Sequence, residues 1–317
     1  MKQSIPVVDL KDFVSGTPAQ REAFVQVTGD ALCELGFFAV ENHQINAGVI
    51  EHAYTLMAQF FELPSDEKTQ YVDVNGMGQR GFTQFGIEHA KDSTAPDLKE
   101  FFHVGQELPR GHDLLQVYGA NIWPTGLPGF KTALSTLYKE LEVCAQNLLS
   151  AIALYLDEPE DRLAQMVVQG DTILRSIHYP PVAAHAHPSS VRAAAHEDIN
   201  LITILCESTA PGLELLQRDG QWRPIHTLKG QFVVDAGDML QHVTNGRLKS
   251  TTHRVTNPDN SRDRRFSMPF FVHPRPEVDL TPFSRSVAAT GGEVKYESLS
   301  AREFLIRRLE EIGLKKN

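Results

Sequence analysis

The chain has 317 residues, of which 41% are hydrophobic and 22% are charged. This composition supports a globular core, in one large domain or two small ones, and argues against disorder. Forty acidic and thirty basic residues give a formal net charge of −10, and no dense basic tract could neutralise a row of phosphates. A nucleic-acid partner is therefore not expected.

Two further classes of protein are disfavoured by the sequence. The opening segment MKQSIPVVDL lacks the apolar core of a signal peptide, and no later apolar run is long enough to span a bilayer. We therefore expect no membrane association and a cytoplasmic location. The three cysteines, Cys33, Cys144 and Cys206, lie far apart among apolar neighbours, which favours reduced core residues over disulfides or a zinc site.

The first half of the chain alternates strand-like and helical patterns. A short strand, IPVVDL, precedes a helix over residues 18–35, in which the apolar positions at helical spacing are Phe24, Val27, Ala31 and Leu35. FFAVENH predicts the next strand. A second amphipathic helix ends before Pro64 and carries Ile50, Ala53, Tyr54, Met57 and Phe61. The longest apolar stripe, over residues 128–156, predicts a scaffold helix lying against a sheet.

From Thr172 onward the pattern changes to short β-rich runs separated by turn residues. These runs are TILRSIHY, RAAAHEDINLITIL, GLELLQ, QWRPIH, QFVVDAGDML, STTHRV and RRFSMPFFV. Such spacing predicts an antiparallel sandwich or barrel, with a hairpin at QRDGQW and a turn at NPDNSRD. A last helix begins at Ser300, which has capping-box spacing to Glu303. We expect an α/β region over residues 1–125 and a core over residues 126–317, packed as one unit.

Three residues of the β-rich half suggest a metal site. If HEDINLITIL is one strand, His196 and Asp198 project from the same face, because side chains alternate along a strand. His253 follows downstream, at the end of a predicted strand and before turn residues. Two histidines and one aspartate, with open positions opposite, form the facial triad typical of non-haem iron(II) oxygenases. Zinc also accepts three ligands, but its water would need a nearby base, and none is identified.

A second candidate site lies in RRFSMPFF. Arg265 and Ser267 share one face of the predicted strand, and an arginine fork beside a hydroxyl is suited to holding a terminal carboxylate. A buried guanidinium without a partner is costly, so an internal acid or a ligand carboxylate must face it.

Other histidines offer an alternative metal site. His185 and His187 form a His-x-His pair of the kind that binds metal in cupins, but no glutamate follows at the required spacing and the nearby prolines predict a loop. His226 and His242 are expected to be structural or exposed. We therefore prefer the site formed by His196, Asp198 and His253.

The chain resembles the isopenicillin N synthase-like iron(II) and 2-oxoglutarate-dependent dioxygenases along nearly its whole length. The segments that carry the resemblance include LGFFAVENHQI, APDLKEFFHVG, LRSIHYPP, HEDINLITIL, VVDAGDMLQHVTNGRLKSTTHRV and RRFSMPFF. The resemblance implies a mainly β fold, a double-stranded β-helix or jelly-roll, wrapped by N-terminal and C-terminal helices. It also implies that the substrate pocket is walled by residues 76–92 and by the C-terminal segment.

The resemblance also assigns roles to individual residues. It implies that iron(II) is bound by His196, Asp198 and His253, and that 2-oxoglutarate is bound by Arg265, Ser267 and Tyr179. The implied reaction uses O2 to hydroxylate or desaturate a small organic molecule, with release of succinate and CO2. A carboxylate at position 198 favours hydroxylation, since halogenating relatives vacate that position for a halide.

The chain departs from the family pattern at one point, and two alternatives to the implied function stay open. Many plant relatives have NYYPP where this chain has IHYPP, so Ile177 replaces an asparagine and His178 replaces a tyrosine. One alternative is an iron(II) oxidase of the same fold that does not use 2-oxoglutarate, with the arginine holding a substrate carboxylate. The other is a jelly-roll binding protein without catalytic activity.

Overall fold

The structure is a computed structural model that describes residues 5–74, 79–87, 97–181, 191–226, 228–257 and 263–311. Three features singled out in the sequence fall wholly or partly outside these ranges. They are the His185 and His187 pair, most of the NPDNSRD turn, and much of the segment over residues 76–92.

Helices flank the sheets along the whole chain. In chain order they are α1 (Leu10–Ser15), α2 (Pro18–Glu34), α3 (Ala47–Glu62), α4 (Ser65–Thr69), α5 (Leu115–Tyr118), α6 (Phe130–Tyr155), α7 (Ala164–Val167), α8 (Asp238–Val243), α9 (Ser284–Ala289) and α10 (Ala301–Glu311). No helix within the described ranges combines the length and the apolar character that a membrane span requires.

The described strands form two sheets. The strands are β1 (Val7–Asp9), β2 (Phe37–Glu41), β3 (Gly81–Thr83), β4 (Glu100–Gly105), β5 (Ile173–Tyr179), β6 (Ala193–His196), β7 (Ile202–Leu205), β8 (Leu213–Leu216), β9 (Trp222–Pro224), β10 (Phe232–Ala236), β11 (His253–Val255), β12 (Arg265–Ser267) and β13 (Pro269–Val272). The larger sheet has the order β1-β2-β10-β7-β13-β5-β4-β3, with β12 also paired to β5. The smaller sheet has the order β6-β11-β8-β9. Together with the flanking helices they give the mainly β jelly-roll architecture that the sequence predicted.

Helices α2, α3 and α6 pack against strands of the larger sheet. α6 is the central scaffold, with a long buried stripe that includes Leu134, Leu141 and Leu148. It contacts α2, α3 and β13, as expected for a helix lying against a sheet. Within α2, Phe24 and Ala31 are buried, whereas Val27, which shares their helical spacing, is 41% exposed.

Several local predictions are confirmed. The hairpin of β8 and β9 turns through QRDGQ, where Gly220 has a φ of +80°, a value that glycine adopts without strain. The capping box at the start of α10 is present: the Ser300 amide donates to the Glu303 carboxylate at 2.8 Å. The Glu303 amide donates in return to the Ser300 hydroxyl at 3.2 Å. The proposed domain boundary at residue 125 stays a prediction.

The prediction that HEDINLITIL forms one strand was wrong. β6 ends at His196, and the next strand, β7, begins at Ile202 in the other sheet. Asp198 therefore lies in the connection between the two sheets, which we call the crossover (residues 197–201). The alternation of side chains along a strand does not explain why His196 and Asp198 face the same point.

Two further strand boundaries differ from prediction. His253 is the first residue of β11, not the last residue of a strand, and it pairs with His196 in antiparallel register. The run QFVVDAGDML ends as a strand at Ala236, and α8 starts at Asp238. The β10 strand ends early because the backbone amides of the residues that follow it donate hydrogen bonds to the crossover.

The N-terminus of α8 is bonded to the crossover. The backbone amide of Gly237 donates to the carbonyl of Leu201 at 2.9 Å, and the amide of Asp238 donates to the carbonyl of Asp198 at 2.7 Å. The amide of Met239 donates to the carbonyl of Asn200 at 3.1 Å. The first amide groups of a helix lack partners inside the helix. These bonds therefore give acceptors to the amides of α8 and donors to the carbonyls of the crossover. Because the approach is close, a Cβ at Gly237 would lie 2.2 Å from the Asn200 carbonyl oxygen.

We predict that Gly237→Ala lowers the free energy of unfolding by about 1–3 kcal/mol, the usual cost of overpacking. The clash is with backbone atoms, which cannot rotate away as a side chain can. Chemical denaturation checks this, with Gly126→Ala as the matched control, since a Cβ at Gly126 would meet no atom within 4 Å. Equal stability of the two variants would contradict the packing described for α8.

Candidate active site

The candidate metal-binding residues meet at one point inside the jelly-roll. One ligand atom from each of His196, Asp198 and His253 lies within 4.8 Å of the others. The Nε2 atoms of both histidines are 3.7 Å from Oδ1 of Asp198. The two strand residues face each other across the β6–β11 pair, and the crossover supplies the carboxylate.

Both imidazole rings are held by backbone carbonyls. Nδ1 of His196 lies 2.7 Å from the carbonyl oxygen of Ala194, and Nδ1 of His253 lies 3.2 Å from that of Thr251. A carbonyl oxygen can only accept, so each Nδ1 carries the proton and each Nε2 is left with its lone pair. Hydrogen bonds of this kind fix the tautomer and the orientation of metal-binding histidines.

The protonation state of His196 also suits the binding of a cation. Burial, and to a lesser degree the neighbouring His253, lower the pKa of His196 to about 4. His196 is therefore neutral at pH 7, as a metal ligand must be. The chemistry of this donor set, two imidazole nitrogens and one carboxylate, fits a divalent first-row metal such as iron(II).

Thr203, which was not predicted from the sequence as a site residue, holds the carboxylate of Asp198. Its hydroxyl donates a short hydrogen bond to Oδ2 of Asp198, which leaves Oδ1 directed at the two histidines. Asn200 donates to the Thr203 hydroxyl at 3.1 Å and to the carbonyl of Ile202 at 2.6 Å. A signal was present: Thr203 is the single polar residue of ITIL, the run that forms β7.

A cavity of about 590 Å³, including its open mouth, joins this group to the second predicted site. Besides the three candidate ligands, its walls include Phe37, Lys99, Arg175, Ile177, Tyr179, Thr203, Leu205, Val233, Asp235, Arg265, Ser267 and Phe271. The side chains of the two sequence-predicted sites therefore line one space.

Arg265 and Ser267 lie on β12, which pairs antiparallel with the end of β5. Their register partners are Tyr179 and Ile177 respectively, so Arg265 is set beside Tyr179. The Arg265 guanidinium carbon is 5.0 Å from the centre of the Tyr179 ring. The side chain is 1% exposed, and its Nε donates to the carbonyl of Ala210 at 3.0 Å.

The Arg265 guanidinium is incompletely paired. Its Nη1 has no hydrogen-bond partner among the described residues, and no carboxylate there forms an ion pair with it. Burying a guanidinium that lacks a hydrogen-bond partner costs free energy, unless a bound ligand supplies the missing partner. The orphaned nitrogen is the feature expected where an anionic ligand binds.

The cavity contains charged residues that the sequence analysis did not single out. Lys99 pairs with Asp97 at 2.9 Å, and Asp97 also accepts from the backbone amide of Ala194, which positions β6. Asp235 on β10 faces the cavity in register with Thr203. Burial and the Asp198 carboxylate raise the pKa of Asp235 well above its usual value, which favours its neutral form.

The other histidines within the described ranges, and the three cysteines, are not among the residues that line the cavity. His242 is buried and its Nε2 donates to the carbonyl of Glu297 at 2.7 Å, while His226 is exposed. His178 faces the opposite side of β5, where its Nδ1 is 2.8 Å from a Glu100 oxygen. The three cysteines are unbridged, and two of them are buried.

Comparisons with known proteins agree with this geometry. Residues 5–126 match the family model for the N-terminal region of the non-haem dioxygenase in morphine synthesis. Residues 170–274 match the model of the 2OG-Fe(II) oxygenase superfamily. A proline hydroxylase of Petromyces alliaceus is 32% identical over 321 residues, which cover 95% of this chain and 97% of that protein.

Solved structures give the same result. A protein of Caulobacter crescentus assigned to the 2OG-Fe(II) oxygenase family is 37% identical, with a TM-score of 0.87, and the match covers 98% of this chain and 99% of that one. A full-length protein of Neurospora crassa, solved in complex with α-ketoglutarate and thymine, is 28% identical with a TM-score of 0.86, and 96% of each chain is covered. The chain belongs to the 2OG-Fe(II) oxygenase superfamily and is an iron(II)- and 2-oxoglutarate-dependent dioxygenase.

Proposed function

We propose that His196, Asp198 and His253 bind the catalytic iron(II). The observation that carries this proposal is the convergence of two Nε2 atoms and one carboxylate oxygen, each held by a hydrogen bond on its other side. Three protein ligands leave the opposite positions of the metal open for cosubstrate and O2. Zinc is the weaker candidate, because the family to which the chain belongs uses iron(II).

The same proposal assigns the other end of the cavity to 2-oxoglutarate. Arg265, Ser267 and Tyr179 would bind its 5-carboxylate, and this accounts for the unpartnered Nη1 of Arg265. A guanidinium and a carboxylate can form two parallel charge-assisted hydrogen bonds. Ile177 contributes an apolar wall at the point where many plant relatives have an asparagine.

The protein's part in the reaction is binding, orientation and exclusion of water. Iron, 2-oxoglutarate and O2 supply the oxidising power, with release of succinate and CO2. The cavity walls hold a small organic molecule beside the metal ligands, and Phe37, Leu205 and Phe271 make those walls largely apolar. The substrate is hydroxylated or desaturated, and Asp198 favours hydroxylation over halogenation because it occupies the ligand position that a halide would need.

We predict that alanine at His196, Asp198 or His253 abolishes 2-oxoglutarate-dependent turnover while the protein stays folded. Each ligand contributes directly to the metal, and no other metal-ligating cluster was found among the described residues to replace it. The measurements are iron content after anaerobic loading and succinate release. His52→Ala is the control, since His52 is exposed on α3. Full activity in any triad variant would remove that residue from the site.

Thr203→Val should weaken iron(II) binding by about 10–100-fold, the usual effect of losing a residue that holds a metal ligand. Without the hydroxyl, the Asp198 carboxylate loses the bond that directs Oδ1 at the histidines. Anaerobic iron(II) titration measures the change, and Thr203→Ser should restore most of the affinity. If valine and serine behave alike, the hydroxyl has no part in positioning Asp198.

Arg265→Ala should leave iron binding intact and weaken 2-oxoglutarate binding by two to three orders of magnitude or more. Removing one partner of a buried ion pair costs about 3–5 kcal/mol, and about 1.4 kcal/mol corresponds to a factor of ten. Lysine should rescue binding only in part, because a point charge cannot reproduce the fork.

The measurement for Arg265 is an anaerobic titration of the iron(II) protein with 2-oxoglutarate, followed by the metal-to-ligand charge-transfer absorption. Identical titrations of wild type and variant would contradict the assignment of Arg265 to the cosubstrate. Arg265 would then be the holder of a substrate carboxylate.

A further inference from the structure

A second arginine, Arg192, is buried close to the proposed cosubstrate site. It precedes β6 and is 1% exposed, as is Arg265. Its guanidinium carbon lies 6.0 Å from the centre of the Tyr179 ring, and that of Arg265 lies 5.0 Å from the same centre. Two buried guanidinium groups therefore share one tyrosine ring.

The charge of Arg192 is not neutralised by the described residues. One of its terminal nitrogens donates to the backbone carbonyl of Asp263, and its Nε has no hydrogen-bond partner there. The Asp263 carboxylate attracts it at longer range but forms no ion pair with it. Burial and the nearby Arg265 both lower the pKa of Arg192, as expected for two like charges held together away from water.

A third buried arginine shows what a purely structural role looks like. Arg80 is fully buried, and its terminal nitrogen is 3.3 Å from a carboxylate oxygen of Asp171. Arg80 thus has an internal counter-ion, and it does not line the cavity. Within the described part of the chain Arg192 and Arg265 lack such a partner, and an anion bound beside Tyr179 would offset the repulsion between them.

We propose that Arg192 is a positioning residue of the cosubstrate site, which selects 2-oxo acids that carry a second, terminal carboxylate. This rests on the proposed function, in which Arg265, Ser267 and Tyr179 bind the 5-carboxylate. Arg192 is beside the Tyr179 ring but does not line the cavity, so it acts on the ligand by charge rather than by direct contact. Its attraction applies to the terminal carboxylate and is absent for a 2-oxo acid that ends in a methyl group.

The test compares two ligands of equal chain length, 2-oxoglutarate and 2-oxopentanoate, which differ by the terminal carboxylate. Each is titrated anaerobically into the iron(II) protein, and the charge-transfer absorption gives Kd without any turnover. Arg192→Gln should raise the Kd of 2-oxoglutarate at least about tenfold, equivalent to about 1.4 kcal/mol of binding free energy. It should change the Kd of 2-oxopentanoate by less than about twofold. Arg192→Lys keeps the charge and should retain most of the preference for the dicarboxylate.

The control is Arg80→Gln, which also removes a buried guanidinium. It should lower thermal stability and leave the ratio of the two Kd values unchanged. If Arg192→Gln does not fold, Arg192→Met replaces it with an uncharged side chain that needs no hydration, and the same ratio is measured.

Each outcome is decisive. If the Arg192 variant binds both ligands equally more weakly, or neither more weakly, the proposal is overturned. The role of Arg192 is then only structural, as a hydrogen-bond donor to the backbone carbonyl of Asp263. If wild type gives no charge-transfer absorption with 2-oxoglutarate, the proposed function itself fails, and this result is distinguishable because it does not involve the variant.

Discussion

The site depends on the way in which the chain passes from one sheet to the other. β6 ends at His196 in the smaller sheet, and β7 begins at Ile202 in the larger one, directly after the crossover. The crossover is too short to form structure of its own, and its polar backbone groups must be satisfied by neighbours. Because it lies between the sheets, the carboxylate of Asp198 arrives beside histidines of the β6–β11 pair. A continuous strand could not place it there with the same hydrogen bonds.

Two groups of contacts hold the crossover. The first amides of α8 bind its carbonyls, which requires the absence of a side chain at Gly237. On the other side, the Thr203 hydroxyl accepts a hydrogen bond from Asn200 and donates one to the Asp198 carboxylate. α8 is itself fixed by an ion pair of 2.6 Å between Asp238 and Arg308, so the C-terminal helix α10 supports the metal site indirectly. The helices that wrap the jelly-roll therefore contribute to the geometry of its interior.

Charge organises the interior of the cavity into two ends. At one end, imidazole nitrogens and a carboxylate are suited to a cation. At the other end, the buried guanidinium of Arg265 has a nitrogen without a partner among the described residues and is suited to an anion. 2-Oxoglutarate has a metal-chelating head and a terminal carboxylate, and we propose that it spans both ends. A cavity with this charge arrangement would bind the cosubstrate with little further ordering.

Much of the architecture could be predicted from the sequence, and the reasons for the exceptions are physical. Helical spacing identified α2, α3 and α6, and β12 kept the alternation that sets Arg265 and Ser267 on one face. Alternation failed at His196, because no sequence pattern marks a strand that leaves its sheet. Such a departure depends on hydrogen bonds to α8, which is distant along the chain.

The candidate site residues also divide into those that could be predicted from the sequence and those that could not. His196, Asp198 and His253 belong to short motifs with recognisable chemistry, and the structure brings them together. Thr203 and Arg192 have no motif of their own. We infer their roles from what they lie against, the Asp198 carboxylate in one case and the Tyr179 ring in the other, and only three-dimensional packing reveals those neighbours.

The most direct test of the proposed metal and cosubstrate sites is anomalous diffraction at the iron absorption edge from crystals grown anaerobically with iron(II) and 2-oxoglutarate. We predict one iron peak bonded to Nε2 of His196, Nε2 of His253 and one carboxylate oxygen of Asp198, with the 5-carboxylate of 2-oxoglutarate on Arg265. An iron peak that lacks any of these three ligands, or a 2-oxoglutarate molecule whose 5-carboxylate lies away from Arg265, would contradict this prediction.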